Sequence, residues 1–566
     1  MAIFERSSQT KVQIDDTERL ECVLENAQNI NNHTEYILRV QRGQNKENRW
    51  TVSRRYRDFA SLHVSLLQAN VDLPIPPKKF IGNMQPSFVA ERQVALQNYI
   101  NEVLKHQVLS LSLQVRSFLD PNNYPLSINE QALQTISIAL RGDGQFELKC
   151  PLTDIGWRIR KHYFLVNESE SQLNCMLSWQ NYGPDCTLHS KDLQLAFKSL
   201  QNISHPYIDN VLAMHTLETG AYVVRKIHEN GSIRDLLYGT EYNKNYLAKY
   251  GNPKVRKPFT NGQISHYGYQ ILQALKFLHD KELCHGNVHP GNITIENQTA
   301  LLMDVENFLM GVPSLYRPFL LELKRTSSAE AVDVYCFGRT LYEMAFAAPL
   351  ESYYCDIYPE GISHDLVPRD TRIPEGRSTP GRSYRSNSCY SLNSKQSKSY
   401  IRMCAAAAEA VLRQCVSGAA ARRGPAALGA LLRHPFFTRT HVDVGRAHLK
   451  FPLQLKDQLR AARHVAEERL RLGQKSVRNA KREVRIQEIL NSEEEMKKQK
   501  RKARRRESVW KSSSSLADVS TASSPSPPSP PTPPAPAPPA AASSRGALLS
   551  AICSFDKSRL SRVVSH

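Results

Sequence analysis

The run Trp50-Thr51-Val52-Ser53-Arg54-Arg55-Tyr56-Arg57-Asp58-Phe59 sets arginines on both sides of one tyrosine. That combination suits phosphate recognition. A guanidinium donates in bidentate fashion, a lysine adds a compact charge, and an aromatic face packs against a sugar-like ring. Downstream, Leu73-Pro74-Ile75-Pro76-Pro77-Lys78-Lys79-Phe80 is a proline-stiffened loop carrying lysines. Glu91-Arg92-Gln93-Val94-Ala95-Leu96-Gln97-Asn98-Tyr99-Ile100 then opens a helix with an arginine near its start. A solvated charged edge is the alternative for the arginine run, and Arg54 itself reads as structural or surface.

These groups need a frame. Tyr36, Leu38 and Val40 alternate just upstream and predict a strand leading into the arginines, with a helix after them. The R-R-Y-x-x-F run, the P-P-K loop and the following helical arginine occur in an order that resembles the PX (Phox-homology) domain. The resemblance covers residues 10–125, closing near Phe118-Leu119-Asp120-Pro121. It implies a three-stranded sheet packed on helices, and binding of phosphatidylinositol 3-phosphate. By the same resemblance Arg55 grips the 3-phosphate and Tyr56 packs under the inositol ring. Lys78 meets the 1-phosphate, and Arg92 the free hydroxyls. The loop around Phe80 and Ile81 is a candidate membrane-inserting tip, with core packing as the alternative.

A second grouping lies in residues 150–440. His285-Gly286-Asn287-Val288-His289-Pro290-Gly291-Asn292 resembles the catalytic loop of a protein kinase, H-R-D-L-x-x-x-N. Leu301-Leu302-Met303-Asp304-Val305-Glu306 stands where D-F-G follows a strand. Asp333-Val334-Tyr335-Cys336-Phe337-Gly338 and His434-Pro435-Phe436-Phe437 match later elements of that fold, and the spacing of Ile264, Tyr267, Ile271, Leu275 and Leu278 predicts an amphipathic helix between. The resemblance implies a bilobal kinase-like domain. Its chemistry is damaged. Asn287 replaces the base, and an amide cannot accept the substrate proton. His289 replaces the usual lysine. Glu306 replaces the glycine and brings a carboxylate toward the phosphate and metal positions. The only fragment near a glycine loop is Asp154-Ile155-Gly156-Trp157. The strand Leu173-Asn174-Cys175-Met176-Leu177-Ser178-Trp179 carries no lysine, so the phosphate anchor and its ion pair are expected to be missing. Asn292 and Asp304, the Mg²⁺-ligand positions, remain as weak metal candidates or as structural hydrogen-bonding residues. Asp333 reads as a brace for the loop backbone and His285 as core. No catalytic residue, bound metal or cofactor is expected, with weak Mg-ATP binding as the alternative.

The remainder is linker and tail. Residues 351–400 read as a surface insert or disordered loop. Residues 455–506 form a charged helix with a thin apolar stripe of Leu459, Ala462, Ala466 and Leu470. It ends in Lys497–Arg506, where eight of ten residues are basic. A solvated helix end, an electrostatic membrane contact and a nuclear-import or nucleic-acid patch all stay open, nucleic acid ranking last for want of interleaved aromatics. Residues 511–543 are a disordered Ser/Pro-rich linker. Residues 544–563 resemble the WH2 actin-binding motif, with Leu548, Leu549 and Ile552 on the docking helix and Leu560 and Val563 in the tail; Ser561 stands where that tail carries lysine.

The 566 residues allow two or three domains and carry a net charge of +20, which favours anionic partners. No apolar run is long enough to span a bilayer, no signal peptide is evident, and the eleven scattered cysteines fit free thiols in a reducing cytosol. The fold class expected is multidomain α+β. Taken in order, the segments resemble the family of PX-domain-containing serine/threonine-kinase-like proteins. That resemblance implies a pseudokinase scaffold in the cytoplasm, peripheral on endosomal and plasma membranes. Its implied partners are phosphoinositide membranes, actin, and membrane-protein cargo such as receptors or cation pumps; nucleic acid is not expected. The alternatives are a weak Ser/Thr kinase and an actin regulator addressed to membranes by its lipid domain.

Overall fold

The computed structural model describes residues 12–79, 84–355, 408–437 and 447–514. The chain divides into two units, residues 1–487 and 488–566.

The first unit begins with an antiparallel sheet of β1 (Leu20–Ile30), β2 (His33–Arg42) and β3 (Arg49–Arg55), in that order. Tyr36, Leu38 and Val40 alternate on β2 as expected, and all three are fully buried. Helices α1 (Tyr56–Leu66), α2 (Pro86–Lys105), α3 (Gln107–Ser110) and α4 (Leu113–Leu119) cover the sheet. Phe59, Leu96, Tyr99, Ile100 and Phe118 close one core with the strand residues. The turn from β3 into α1 is fixed by Asp58, whose carboxylate accepts from the Arg55 N–H at 2.8 Å. It therefore sets Arg55 and Tyr56 at the start of α1.

Helix α5 (Ile128–Asp143) falls between the two expected domain spans. It packs Ala132, Ile136 and Leu140 against a five-stranded sheet. That sheet runs β4 (Phe146–Leu152), β5 (Lys161–Glu168), β6 (Asn174–Asn181), β8 (Gly220–Lys226), β7 (Ala213–Thr216), every pair antiparallel. Helix α6 (Ser190–Gln201) connects β6 to β7 and buries Leu193, Ala196, Phe197 and Leu200.

A helical lobe follows, with α7 (Ile233–Tyr238), α8 (Tyr246–Tyr250) and α9 (Asn261–His279). Thr260 and Gln263 form a reciprocal capping box at the start of α9. Ile264, Tyr267, Ile271, Leu275 and Leu278 all turn into the core, as their spacing predicts. The hairpin β9 (Ile293–Glu296) and β10 (Thr299–Leu302) follows, then α10 (Asn307–Met310), α11 (Arg317–Leu320) and α12 (Ala329–Phe346), with α13 (Gly418–Arg423) and α14 (Leu428–Leu432) beyond the insert. Phe437 is fully buried against this lobe.

Helix α15 (Leu453–Ser514) is 62 residues long. The stripe read from the sequence does not stand apart as a separate charged helix. Leu455, Leu459, Ala462 and Leu470 join the core of the helical lobe. Buried Gln474 donates to the carbonyls of Leu320 and Thr326 at 3.0 and 2.9 Å. In the second unit, Lys497–Arg504 of this helix are exposed. Residues 356–400 of the expected insert, Phe80 and Ile81, residues 515–543 of the linker and the WH2-like segment lie outside the described residues.

Candidate functional site

The phosphate-binding candidates converge at one end of the first sheet. Tyr56 donates its hydroxyl to the Pro76 carbonyl at 2.6 Å, which fastens the ring beneath the proline loop. Arg92 comes from α2, with its guanidinium 4.3 Å from the Tyr56 ring centre and a 3.2 Å bond to the Pro77 carbonyl. Arg92 is buried, and its Nε has no partner among the described residues. Arg55 is half-buried, with Nε 4.0 Å from a Glu35 carboxylate oxygen. Lys78 is exposed on the loop. Arg54 points elsewhere. It donates twice to the Phe118 carbonyl, at 2.9 and 2.7 Å, and joins β3 to α4.

The second site is the cleft between the five-stranded sheet and the helical lobe. Its floor is the degenerate loop. Asp333 accepts from the backbone N–H of His285 and Gly286 at 2.9 and 2.8 Å, and contacts His279. His285 is fully buried, with Nε2 2.7 Å from the Met303 carbonyl. Asn287 is also fully buried. Its Oδ1 accepts from Leu315 N–H at 2.9 Å, and its Nδ2 has no partner among the described residues. The side chain at the base position thus holds the segment after Asp304. Asn292 donates to the Asn287 carbonyl at 3.2 Å.

Strand β6 carries no lysine, as its sequence reads, and a buried ion pair that sequence reading did not anticipate lies beside it. Strand β6 offers Met176 and Ser178 to the cleft. The adjacent strand β5 supplies Lys161, whose Nζ lies 2.5 Å from Asp304 Oδ2. Arg225, at the end of β8, stands 3.7 Å from Asp304 Oδ1. Burial alone would raise the Asp304 carboxyl, but Lys161 and Arg225 outweigh it and hold it far below the usual carboxylate range. Asp304 also keeps a left-handed backbone, φ 59°, which is costly for a side-chain-bearing residue. Glu306 does not face a metal position. It is buried and paired bidentately with Arg225, at 2.7 and 3.3 Å.

The roof is the β4–β5 loop. The Gly156 backbone approaches Tyr163 so closely that a Cβ there would stand 2.8 Å from the ring, so this glycine serves packing. Trp157 Nε1 lies 3.2 Å from His289 Nε2, and Arg158 donates to Asn307 Oδ1 at 2.6 Å. Burial, with Arg234 and Arg158 nearby, pushes His289 well below its ordinary value, so its imidazole is neutral. Tyr246 N–H donates to the Asp154 carbonyl at 2.6 Å and ties the roof to α8.

Two regions of the chain match known families. Residues 42–122 match the PX domain family, and residues 172–307 match the protein tyrosine and serine/threonine kinase family. A mouse protein named PX domain-containing protein kinase-like protein is 38% identical over 489 residues, covering 86% of this chain and 77% of that one. The chain belongs to the PX domain-containing protein kinase-like family. A Drosophila relative, Slowpoke-binding protein, is 32% identical over 232 residues, 38% of this chain and 44% of that protein. A Dictyostelium relative named probable inactive serine/threonine-protein kinase slob1 is 28% identical over 261 residues, 39% of this chain and 44% of that one.

In this family member the structure brings Tyr56 and Arg92 into contact, with Arg55 and Lys78 on the flanking elements. It brings Asn292 and Asp304 to the cleft lining, while Asn287 is fully buried and does not line it. Lys161, Arg225, Arg158 and Trp157 were missed by sequence reasoning. Only the pairing of β5 beside β6 places Lys161 over Asp304, and no local motif signals it. Leu548, Leu549, Ile552, Leu560 and Val563 lie outside the described residues. No described helix is long and apolar enough to cross a membrane.

Proposed function

We propose that this chain is a phosphoinositide-addressed pseudokinase scaffold. The PX region delivers it to endosomal and plasma membranes rich in phosphatidylinositol 3-phosphate, and the kinase-like region binds membrane-protein cargo instead of phosphorylating it. One observation carries the reading. The groups left at the kinase metal and base positions are consumed internally: Asp304 by Lys161 and Arg225, Asn287 by the Leu315 backbone. A base or a metal ligand must be free to meet a reacting atom. The fly relative's name records binding to Slowpoke, and the slime-mould relative is named an inactive kinase; both support a protein-binding role for this region. Receptors and cation pumps are the cargo class the family implies. Mg-ATP chemistry is no part of this reading, and actin contact through residues 544–563 is an accessory supported by sequence pattern alone.

For lipid, the reading assigns Arg55 and Lys78 to phosphate, Tyr56 to the ring face and Arg92 to the ring hydroxyls. The test is cosedimentation of the full chain with vesicles carrying phosphatidylinositol 3-phosphate. Arg55→Ala is expected to cut binding about tenfold or more, since a charge-assisted bidentate contact is worth roughly 1.5–3 kcal/mol. Unchanged sedimentation would remove the lipid-address reading.

A further inference from the structure

Helix α15 carries its cations in two different settings. In its first half, Arg460 and Arg463 meet Glu282, Arg469 meets Asp185 and Lys481 meets Glu322. Those charges tie the helix to the rest of the first unit.

Toward the end of the helix the setting changes. Lys497, Lys498, Lys500, Arg501, Lys502 and Arg504 are all exposed, and none has a carboxylate at ion-pair distance among the described residues. Glu493 and Glu494 stand four residues before Lys497 and Lys498, a spacing that favours helical ion pairs, yet neither pair is formed. Instead Lys497 faces Arg501, Lys498 faces Lys502 and Lys500 faces Arg504, like charges one helical turn apart. Each such pair repels and weakens the helix. An anionic surface against these residues removes that repulsion, whereas salt only screens it.

The form of the patch selects among anionic partners. Residues three and four apart share a helix face, so Met496, Gln499 and Ala503 make one uncharged strip and the cations cover the rest of the circumference. Charge spread so widely suits a diffuse anionic plane better than a single phosphate. Four of the six cations are lysines, compact point charges rather than the planar forks that grip individual phosphates. No aromatic residue lies within 496–504 to stack on a base, which counts against single-stranded nucleic acid. Met496 and Ala503 are the only apolar residues of that stretch, so it has no apolar face to bury among acyl chains. The contact it can make is adsorption on charged headgroups.

We infer that the end of α15 is a second membrane contact, a lysine-rich helix that adsorbs to bilayers carrying anionic phospholipid of the phosphatidylserine kind. This deepens the scaffold reading, because two weak contacts on one chain give an avidity that neither has alone. It rests on that reading only for the joint effect. Attraction to an anionic bilayer stands whether or not Arg55 grips a phosphoinositide.

The experiment is cosedimentation of the full chain with phosphatidylcholine vesicles that contain phosphatidylserine, phosphatidylinositol 3-phosphate, or both. The parent chain is expected to bind the phosphatidylserine vesicles, with affinity falling steeply as salt is raised. Replacing all six cations by Gln should lower that affinity at least about tenfold. The same variant should bind vesicles carrying only phosphatidylinositol 3-phosphate as the parent does. Its thermal denaturation should also match, since it breaks no ion pair among the described residues. Arg501→Lys combined with Arg504→Lys should keep phosphatidylserine binding, because charge and not fork geometry is used. Arg55→Ala should behave oppositely to the Gln variant, keeping phosphatidylserine binding and losing the phosphoinositide. The inference is overturned if the parent does not bind phosphatidylserine vesicles, if the Gln variant binds them equally, if the double Lys variant loses them, or if a double-stranded oligonucleotide binds more tightly at the same salt. Phosphatidylserine binding that persists while the phosphoinositide arm fails would remove only the lipid-address reading.

Discussion

At the scale of single residues, the kinase-like region is governed by charges that satisfy each other out of water. The Asp304–Lys161 contact and the Arg225–Glu306 fork leave little for a metal to hold. Not every buried ionisable group is so served. His162 on β5 packs at 5.8 Å, ring centre to ring centre, against Trp179, and its Nε2 has no partner among the described residues. Burial, with Arg160 adding to it, lowers its value from 6.5 to about 4. The unfolded chain therefore takes up a proton below pH 6.5 that the folded chain refuses until about 4. Stability is full above that window and falls as pH drops through it. His162→Phe keeps the ring and removes the proton site. Its melting temperature is expected to fall less than that of the parent chain between pH 6.5 and 4, measured by thermal denaturation at stepped pH. Parallel curves would show that His162 does not titrate across folding.

At the scale of elements, α15 decides where the kinase-like region ends. A fragment closed at residue 445 matches the kinase resemblance but strips Leu455, Leu459 and Leu470 from the core, and removes the two carbonyl contacts of Gln474. The helix also reaches the other lobe, where Arg469 meets the Pro184 carbonyl at 2.8 Å and Asp185 at 3.4 Å. Leu459 is fully buried, so Leu459→Ala is expected to cost about 2–5 kcal/mol, read by urea denaturation. A cost below about 0.5 kcal/mol, the range of surface changes, would show that the helix is not part of this core.

At the scale of the first unit, the lipid-binding and kinase-like regions share structure. Leu247 and Tyr246 sit on α8, yet they belong to the core around Phe59 and Leu96. Gly251 packs on Ala69, and Asn252 donates to the Asn70 carbonyl at 3.0 Å. On another side, Arg317 meets Asp15 at 3.0 Å and Arg160 meets Asp16 at 3.1 Å. Since α8 also lines the cleft, the two regions should unfold together. Differential scanning calorimetry of the full chain is expected to show them in one transition. Leu247→Ala should move that whole transition down, by about 2–5 kcal/mol of stability, without splitting it. Two separate peaks in the parent chain would refute the coupling.

The sequence alone determined what local periodicity and contiguous motifs can encode. Alternation on β2, the three- and four-residue spacing on α9 and the Asn287 substitution are properties of short runs, and the folded chain keeps each of them. The apolar stripe on α15 was legible too, but not its destination, because a stripe states that a face is buried and not against what. Nor could the runs show that Lys161, 143 residues from Asp304, pairs with it, or that α8 packs into the core around Phe59. Strand pairing and helix docking join residues remote in sequence, and the burial that sets their charges exists only once those elements have packed.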